Sequence, residues 1–73
     1  MCLAIPGLIV ELLPDEEMAV IDYKGLKAKA CTRLLPEAAV GDYALVHAGF
    51  IIQTLPPEEG EELAALAEEA GLL

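Results

Sequence analysis

Two residue types in this 73-residue sequence, cysteine and histidine, are suited to chemistry at neutral pH. Cys2 directly follows Met1, and an initiator Met before so small a residue is normally removed. Cys2 would then carry both a thiol, with a pKa of about 8.5, and a free α-amine. The ammonium group lowers the thiol pKa and favours the thiolate, which is a nucleophile and a soft-metal ligand. The alternative is a frayed chain end without a role.

His47 is the only histidine, and it lies in a segment that reads as a β-strand. Such a residue is either a hydrogen-bonded structural histidine or a base, a metal ligand or a hydrogen-bond partner of a reactive thiol. The second cysteine, Cys31, has Lys29 and Arg33 two positions away on either side. These bases would lower its pKa if they surround it. We expect Cys31 to be an incidental, half-exposed thiol.

The donor set is too small for a self-contained metal centre. Structural zinc takes four protein ligands and catalytic zinc usually three, whereas this chain offers one histidine and two distant cysteines. A single thiolate can still hold a metal whose remaining ligands come from a partner. Such a weakly held metal can be passed on.

The charge balance limits the classes of partner. Thirteen acidic and four basic residues give a net charge of −9. Nucleic acids and anionic membranes are bound through Lys and Arg, so this balance argues against both. The four bases all lie within residues 24–33, which makes them either a solvated strand face or a docking patch for an acidic partner. With no apolar run of membrane-spanning length and no basic leader, we expect a cytoplasmic protein that keeps its thiols reduced.

Short β-strands are predicted over most of the chain. Turn residues separate four runs of strand length. The runs are Gly7–Leu13, Met18–Tyr23, Leu26–Leu34 and Tyr43–Leu55. Lys24-Gly25 predicts a tight hairpin, and Gly49 should bend or bulge the last run and split it in two. We therefore predict a mainly β protein, with a small OB-like β-barrel in residues 1–55.

In the third run, apolar residues alternate with polar ones, which predicts a half-buried strand. Its buried face would hold Leu26, Ala28 and Ala30. Residues 56–73 change period and predict an acidic C-terminal α-helix in the same domain, beginning at Pro56-Pro57 and ending before Gly71. The residues expected on one face of this helix are Leu63, Leu66, Ala67 and Ala70.

Two blocks of sequence resemble one known family. The first is Met1-Cys2-Leu3-Ala4-Ile5-Pro6-Gly7, and the second is Gly41-Asp42-Tyr43-Ala44-Leu45-Val46-His47-Ala48-Gly49-Phe50-Ile51-Ile52-Gln53. Both are similar to the motifs of the HypC/HybG/HupF hydrogenase maturation chaperones. The resemblance extends over essentially the whole chain.

The resemblance implies an OB-like barrel with a C-terminal helix, and a chaperone rather than an enzyme. It implies that the chain carries the Fe(CN)2CO group of [NiFe] hydrogenases together with HypD, while HypE supplies the cyanide ligands and no cofactor is held permanently. Cys2 would hold the iron and bind the hydrogenase large-subunit precursor, and His47 would lie near the iron or at the partner interface. Pro6 and Gly7 would shape the N-terminal arm, because Pro restricts φ and Gly permits unusual φ values.

Two other functions stay open on the residues alone. An enzyme could use Cys2 as nucleophile with His47 as base, although no third catalytic group is evident. An OB-like module could bind nucleic acid or oligosaccharide, although such sites use basic grooves and stacking aromatics, and this chain has three aromatic residues.

Overall fold

A computed structural model describes residues 5–71 of the chain. Its strands are β1 (Gly7–Leu13), β2 (Met18–Tyr23), β3 (Leu26–Cys31), β4 (Tyr43–His47) and β5 (Phe50–Leu55); a short 3-10 turn (Pro14–Glu16) and one helix, α1 (Pro57–Glu69), complete the elements. The strands form a closed barrel in the order β1-β2-β3-β5-β4. The predicted mainly β class, a small OB-like barrel with a C-terminal helix, is confirmed.

Two of the three hairpins are closed by tight two-residue turns. Lys24 and Gly25 both have positive φ, 57° and 105°, as a two-residue hairpin turn requires. The Asp22 carboxylate accepts a 2.7 Å hydrogen bond from the Gly25 N–H, which holds this turn. Ala48 and Gly49, with φ of 53° and 84°, form the turn between β4 and β5. The predicted split at Gly49 is confirmed, and it takes the form of a complete hairpin.

Strand β3 departs from its prediction in length and in burial. It ends at Cys31 instead of Leu34, and of its predicted buried face only Ala30 is buried. Leu26 is 71% exposed, and Ala28 is exposed as well. The reason is topological: β3 pairs with β5 at the single pair Cys31–Phe50, so its earlier residues extend past the wall of the barrel.

The core is built from branched and very small side chains. Ile9, Ile21 and Ile51 are its largest fully buried residues. Buried alanines complete the core; Ala19, Ala30 and Ala44 come from strands, and Ala38 comes from the connection between β3 and β4. Because this core is small, removing even one buried methylene group should lower the free energy of unfolding of the domain.

The helix buries only Ala67 of the apolar face predicted for it. Its buried residues are Gly60, Ala64 and Ala67, whereas Leu63 and Leu66 are 44% and 54% exposed and Ala70 is also exposed. The cause is a close contact with β4: a Cβ atom on Gly60 would overlap the Tyr43 side chain. The smallest side chains at i, i+4 and i+7 therefore face the barrel, and the leucines lie outside this contact. Within residues 5–71 no helix is long and apolar enough to cross a membrane.

Candidate functional site

His47 is the predicted site residue that the structure describes most clearly. It is the last residue of β4, it is exposed, and its cross-strand neighbour is Phe50 at the start of β5. Cross-strand partners point to the same side of a sheet, and Val46 with Ile51 takes the inner side, so His47 and Phe50 face outward. No residue in the range 5–71 hydrogen-bonds the imidazole. Within this part of the chain, His47 is therefore not held in place by side-chain hydrogen bonds.

Cys31 lies one strand further around the barrel. It pairs with Phe50, and its N–H donates a 2.7 Å hydrogen bond to the Gly49 carbonyl oxygen. Its half-buried Sγ accepts a 3.5 Å hydrogen bond from the Arg33 N–H. His47, Phe50 and Cys31 thus form one row across β4, β5 and β3. The sequence did not reveal this row, because it depends on the register between three strands.

The row does not make a metal site by itself. Adjacent strands lie about 4.8 Å apart, so two steps separate the backbones of His47 and Cys31 by about 10 Å. Among residues 5–71 no group of three His, Cys, Asp or Glu side chains could hold a metal ion. A metal bound at His47 would need its other ligands from elsewhere.

The two residues predicted to shape the N-terminal arm are anchored in the barrel. Pro6 and Gly7 are both buried. Gly7 was predicted to supply an unusual φ, but it is not among the glycines with positive φ. It is required for space, because a Cβ atom there would overlap Ile21 and Tyr23 of β2. The chain is therefore held where β1 begins.

The direction of β1 relates this anchor to His47. β1 runs antiparallel to β4, and Gly7 lies opposite Ala44. β4 continues three residues beyond Ala44, to His47, on the side from which the chain enters β1. Ile5 thus approaches from the His47 side of this junction. Cys2 itself lies outside the described residues.

The four bases make ion pairs with the chain's own acids in three cases. Lys24 pairs with Glu68 at 3.3 Å, Lys29 with Glu16 at 3.4 Å and Arg33 with Glu17 at 3.1 Å. The hydrogen bond and the charge of Glu17 raise the pKa of Arg33. All six side chains are about half exposed or more, so each pair is weak. Lys27 makes no ion pair within residues 5–71.

A shallow cleft lies between the β2–β3 turn, the start of β1 and the helix. Its volume is about 110 Å³, and Pro6, Tyr23 and Tyr43 are among its lining residues. Burial raises the pKa of the Tyr23 hydroxyl. Small-molecule sites usually measure about 300–1,000 Å³, so this cleft gives no support to the enzyme alternative.

Comparison with known proteins adds an independent observation. A model of the HupF/HypC family matches residues 1–67. The chain is similar to the hydrogenase maturation factor HypC of Azotobacter chroococcum, with 45% identity over all of this chain and 86% of the relative. The same-named factor of Rhizobium leguminosarum is 40% identical, over 99% of this chain and 95% of the relative. That of Cupriavidus necator is 42% identical, over 94% and 76%.

Proposed function

Because the chain belongs to the HupF/HypC family, we propose that it carries iron, as an Fe(CN)2CO group, on Cys2 during the maturation of a [NiFe] hydrogenase. The coarser conclusion follows from its relatives: the chain is a hydrogenase maturation chaperone that works with other proteins of that process. The observation that carries the proposal is the extent of the family match. Residues 1–67 include both Cys2 and the block around His47.

The donor chemistry supports a transferable iron group as cargo. A thiolate is a soft ligand, and cysteine thiolates bind iron in Fe–S clusters. Residues 5–71 contain no complete ligand set, so the iron would be shared with a second protein. We propose that HypD completes the coordination sphere of the iron and that the surface of HypD excludes water from it. We further propose that HypE supplies the cyanide ligands to this assembly. A chain that holds iron through one or two bonds can release it by ligand exchange.

The geometry near β1 supports a role for His47 beside that thiolate. Cys2 is three residues before Ile5, which limits their Cα separation to about 11 Å. The chain enters β1 from the His47 side of β4, and the imidazole is exposed. We propose that the His47 imidazole donates a hydrogen bond or a proton to the Cys2 thiolate, or supplies a second ligand to the iron. Cys2 then engages the large-subunit precursor, and the iron group passes to it.

The compartment is part of the same proposal. A free thiolate persists in a reducing environment, and the cytoplasm is kept reducing by thioredoxin and glutathione systems. We therefore place the chaperone in the cytoplasm, together with HypD and the precursor.

Infrared spectroscopy of the complex with HypD tests the iron-carrying role. Cyanide and carbonyl stretching bands should be present when the chain is co-purified with HypD and should disappear with Cys2→Ala. Cys31→Ala removes the chain's other sulfhydryl and should leave the bands in place. Bands unchanged by Cys2→Ala would reject Cys2 as the iron ligand.

Intact mass spectrometry tests the chemical state that the proposal requires. Active preparations should lack Met1, so that Cys2 carries a free α-amine. Retention of Met1 in every active preparation would contradict a role for that amine in activating the thiol.

A further inference from the structure

One edge of β3 is open over most of its length. All six residues of β3 pair with β2, but only Cys31 pairs with β5. Residues Leu26–Ala30, which we name the β3 edge, therefore have no strand on their second side within residues 5–71. The first four of them are exposed. An open edge presents backbone N–H and C=O groups that can pair with another extended chain.

The two faces of this edge have different chemistry. Ala30 is buried, which identifies the inner face, and Leu26 and Ala28 share that face by the two-residue period of a strand. Lys27 and Lys29 lie on the outer face, two positions apart. A strand added here would meet apolar side chains on one face and two positive charges on the other.

We propose that the β3 edge binds an extended segment of a partner protein in which acidic and apolar residues alternate. The main-chain hydrogen bonds of β-strand addition would supply affinity, and the alternating side chains would supply specificity. Acidic residues of the segment would lie opposite Lys27 and Lys29, and apolar residues would cover Leu26. Opposite charges at facing positions stabilise a strand pair, and like charges destabilise it.

Charge decides between this occupant and a second copy of the chain. If two β3 edges paired with each other, the lysines of one copy would approach the lysines of the other. That arrangement is unfavourable. The existing ion pair of Lys29 does not prevent the binding of an acidic strand. Lys29 contacts Glu16 at 3.4 Å, but both side chains are more than half exposed, so exchanging Glu16 for a carboxylate of the partner costs little free energy.

Lysines on an open edge also keep sheets from joining non-specifically. That protective role predicts no selective binding of any strand, so it makes a different prediction for a peptide experiment. The probe is a capped five-residue peptide, Val-Glu-Val-Glu-Val, titrated into the whole 73-residue chain labelled with 15N. Amide chemical shifts and amide hydrogen exchange report where it binds.

The expected result is a set of shifts centred on residues 26–30, with slower hydrogen exchange there. The peptide Val-Lys-Val-Lys-Val should not bind. N-methylation of alternate residues in the acidic peptide removes donors without changing charge, and it should abolish the shifts if the peptide adds as a strand. Equal binding of the N-methylated peptide would overturn strand addition.

Charge-reversed variants test the lysines with a matched control. Lys27→Glu with Lys29→Glu should weaken binding roughly 2- to 30-fold, from the loss of two facing charge pairs. Lys24→Glu with Arg33→Glu changes the net charge equally and leaves the β3 edge untouched, so its affinity should stay near that of the parent. Circular dichroism establishes that both variants are folded.

The remaining outcomes count against the proposal. Equal weakening in both double variants would show a general charge effect. Shifts elsewhere in the barrel, an absence of binding, or a dimer that forms through residues 26–30 would each overturn the assignment of this edge to an acidic partner strand.

Discussion

At the scale of single residues, a substitution of His47 can test function without changing stability. It is exposed at the end of β4, and no residue in the range 5–71 hydrogen-bonds its ring. Changing such a residue should alter the free energy of unfolding by no more than about 0.5 kcal/mol.

We therefore predict that His47→Ala keeps its thermal midpoint but weakens the cyanide and carbonyl bands of the complex with HypD. The exposed Gln53 in β5 provides a control, because Gln53→Ala should change neither property. A His47→Ala protein with full band intensity would remove His47 from the proposed site.

Gly7 gives the opposite case, a residue whose effect should be structural. A Cβ atom at this position would overlap Ile21 and Tyr23. We predict that Gly7→Ala lowers the free energy of unfolding by about 1–3 kcal/mol, as overpacking does. Urea denaturation measures it, and a variant as stable as the parent would contradict the packing at the start of β1.

At the scale of elements, the docking of the helix depends on Gly60. Alanine is favoured over glycine inside a helix by about 1 kcal/mol, but a Cβ here would overlap Tyr43. We predict that the overlap dominates and that Gly60→Ala destabilises the domain by up to about 2 kcal/mol.

The double variant with Tyr43→Gly tests the cause, because the Tyr43 Cβ itself belongs to the overlap and alanine would keep it. In the Tyr43→Gly background, Gly60→Ala should become stabilising, since every overlapping atom of Tyr43 is gone and the helix preference remains. Leu63→Ala, at an exposed position of the same helix, should have little effect in either background. If Gly60→Ala acts alike with and without Tyr43, the contact does not set the position of the helix.

The elements also show which features local sequence can predict. The bounds of β1 and β2 and the turn at Lys24-Gly25 agree with the prediction, because alternation and turn chemistry act over a few residues. The exposure of Leu26 was not predictable, since it depends on where β5 stops pairing with β3. Of the predicted apolar helix face only Ala67 is buried, for a similar reason: Gly60 and Tyr43 come into contact only in the folded barrel.

The site shows the same division. His47 and Pro6-Gly7 could be selected from residue type and from the resemblance to a family. His47 lies on the side of β4 from which the chain enters β1. This relation could be found only from the pairing of Gly7 with Ala44. The row that joins His47 to Cys31 through Phe50 required two further pairings.

At the scale of the whole molecule, the partly buried Tyr23 links stability to pH. Burial raises the pKa of its hydroxyl above the ordinary value of about 10. Below pH 10 the hydroxyl is protonated in both states, and its contribution to stability is complete. As the pH rises further, the unfolded chain loses this proton first, so the free energy of unfolding falls until the folded-state pKa is passed.

We predict that Tyr23→Phe reduces this alkaline loss. Urea denaturation of parent and variant at several values between pH 8 and 11 measures the difference, which should grow with pH in favour of the variant. Parallel curves for the two proteins would show that ionisation of Tyr23 is not linked to folding.

The molecule as a whole is a small barrel whose candidate site residues lie at the ends of its strands, with His47 at the end of β4 and Gly7 at the start of β1. The three largest fully buried side chains are isoleucines, and the described residues provide no complete set of metal ligands. The barrel fixes the positions of an exposed imidazole and of the start of β1. Under the proposed function, a partner protein would complete the coordination of the iron. This division of labour suits a chaperone that delivers a group and is then released.

Maturation of a [NiFe] hydrogenase in cells is the most direct test of the role of Cys2. Cells whose own copy of this chaperone is deleted would receive either the parent chain, Cys2→Ala or Cys31→Ala, and their hydrogenase activity would be measured at equal chaperone levels. We predict activity with the parent and with Cys31→Ala and none with Cys2→Ala. Full activity with Cys2→Ala would contradict the account.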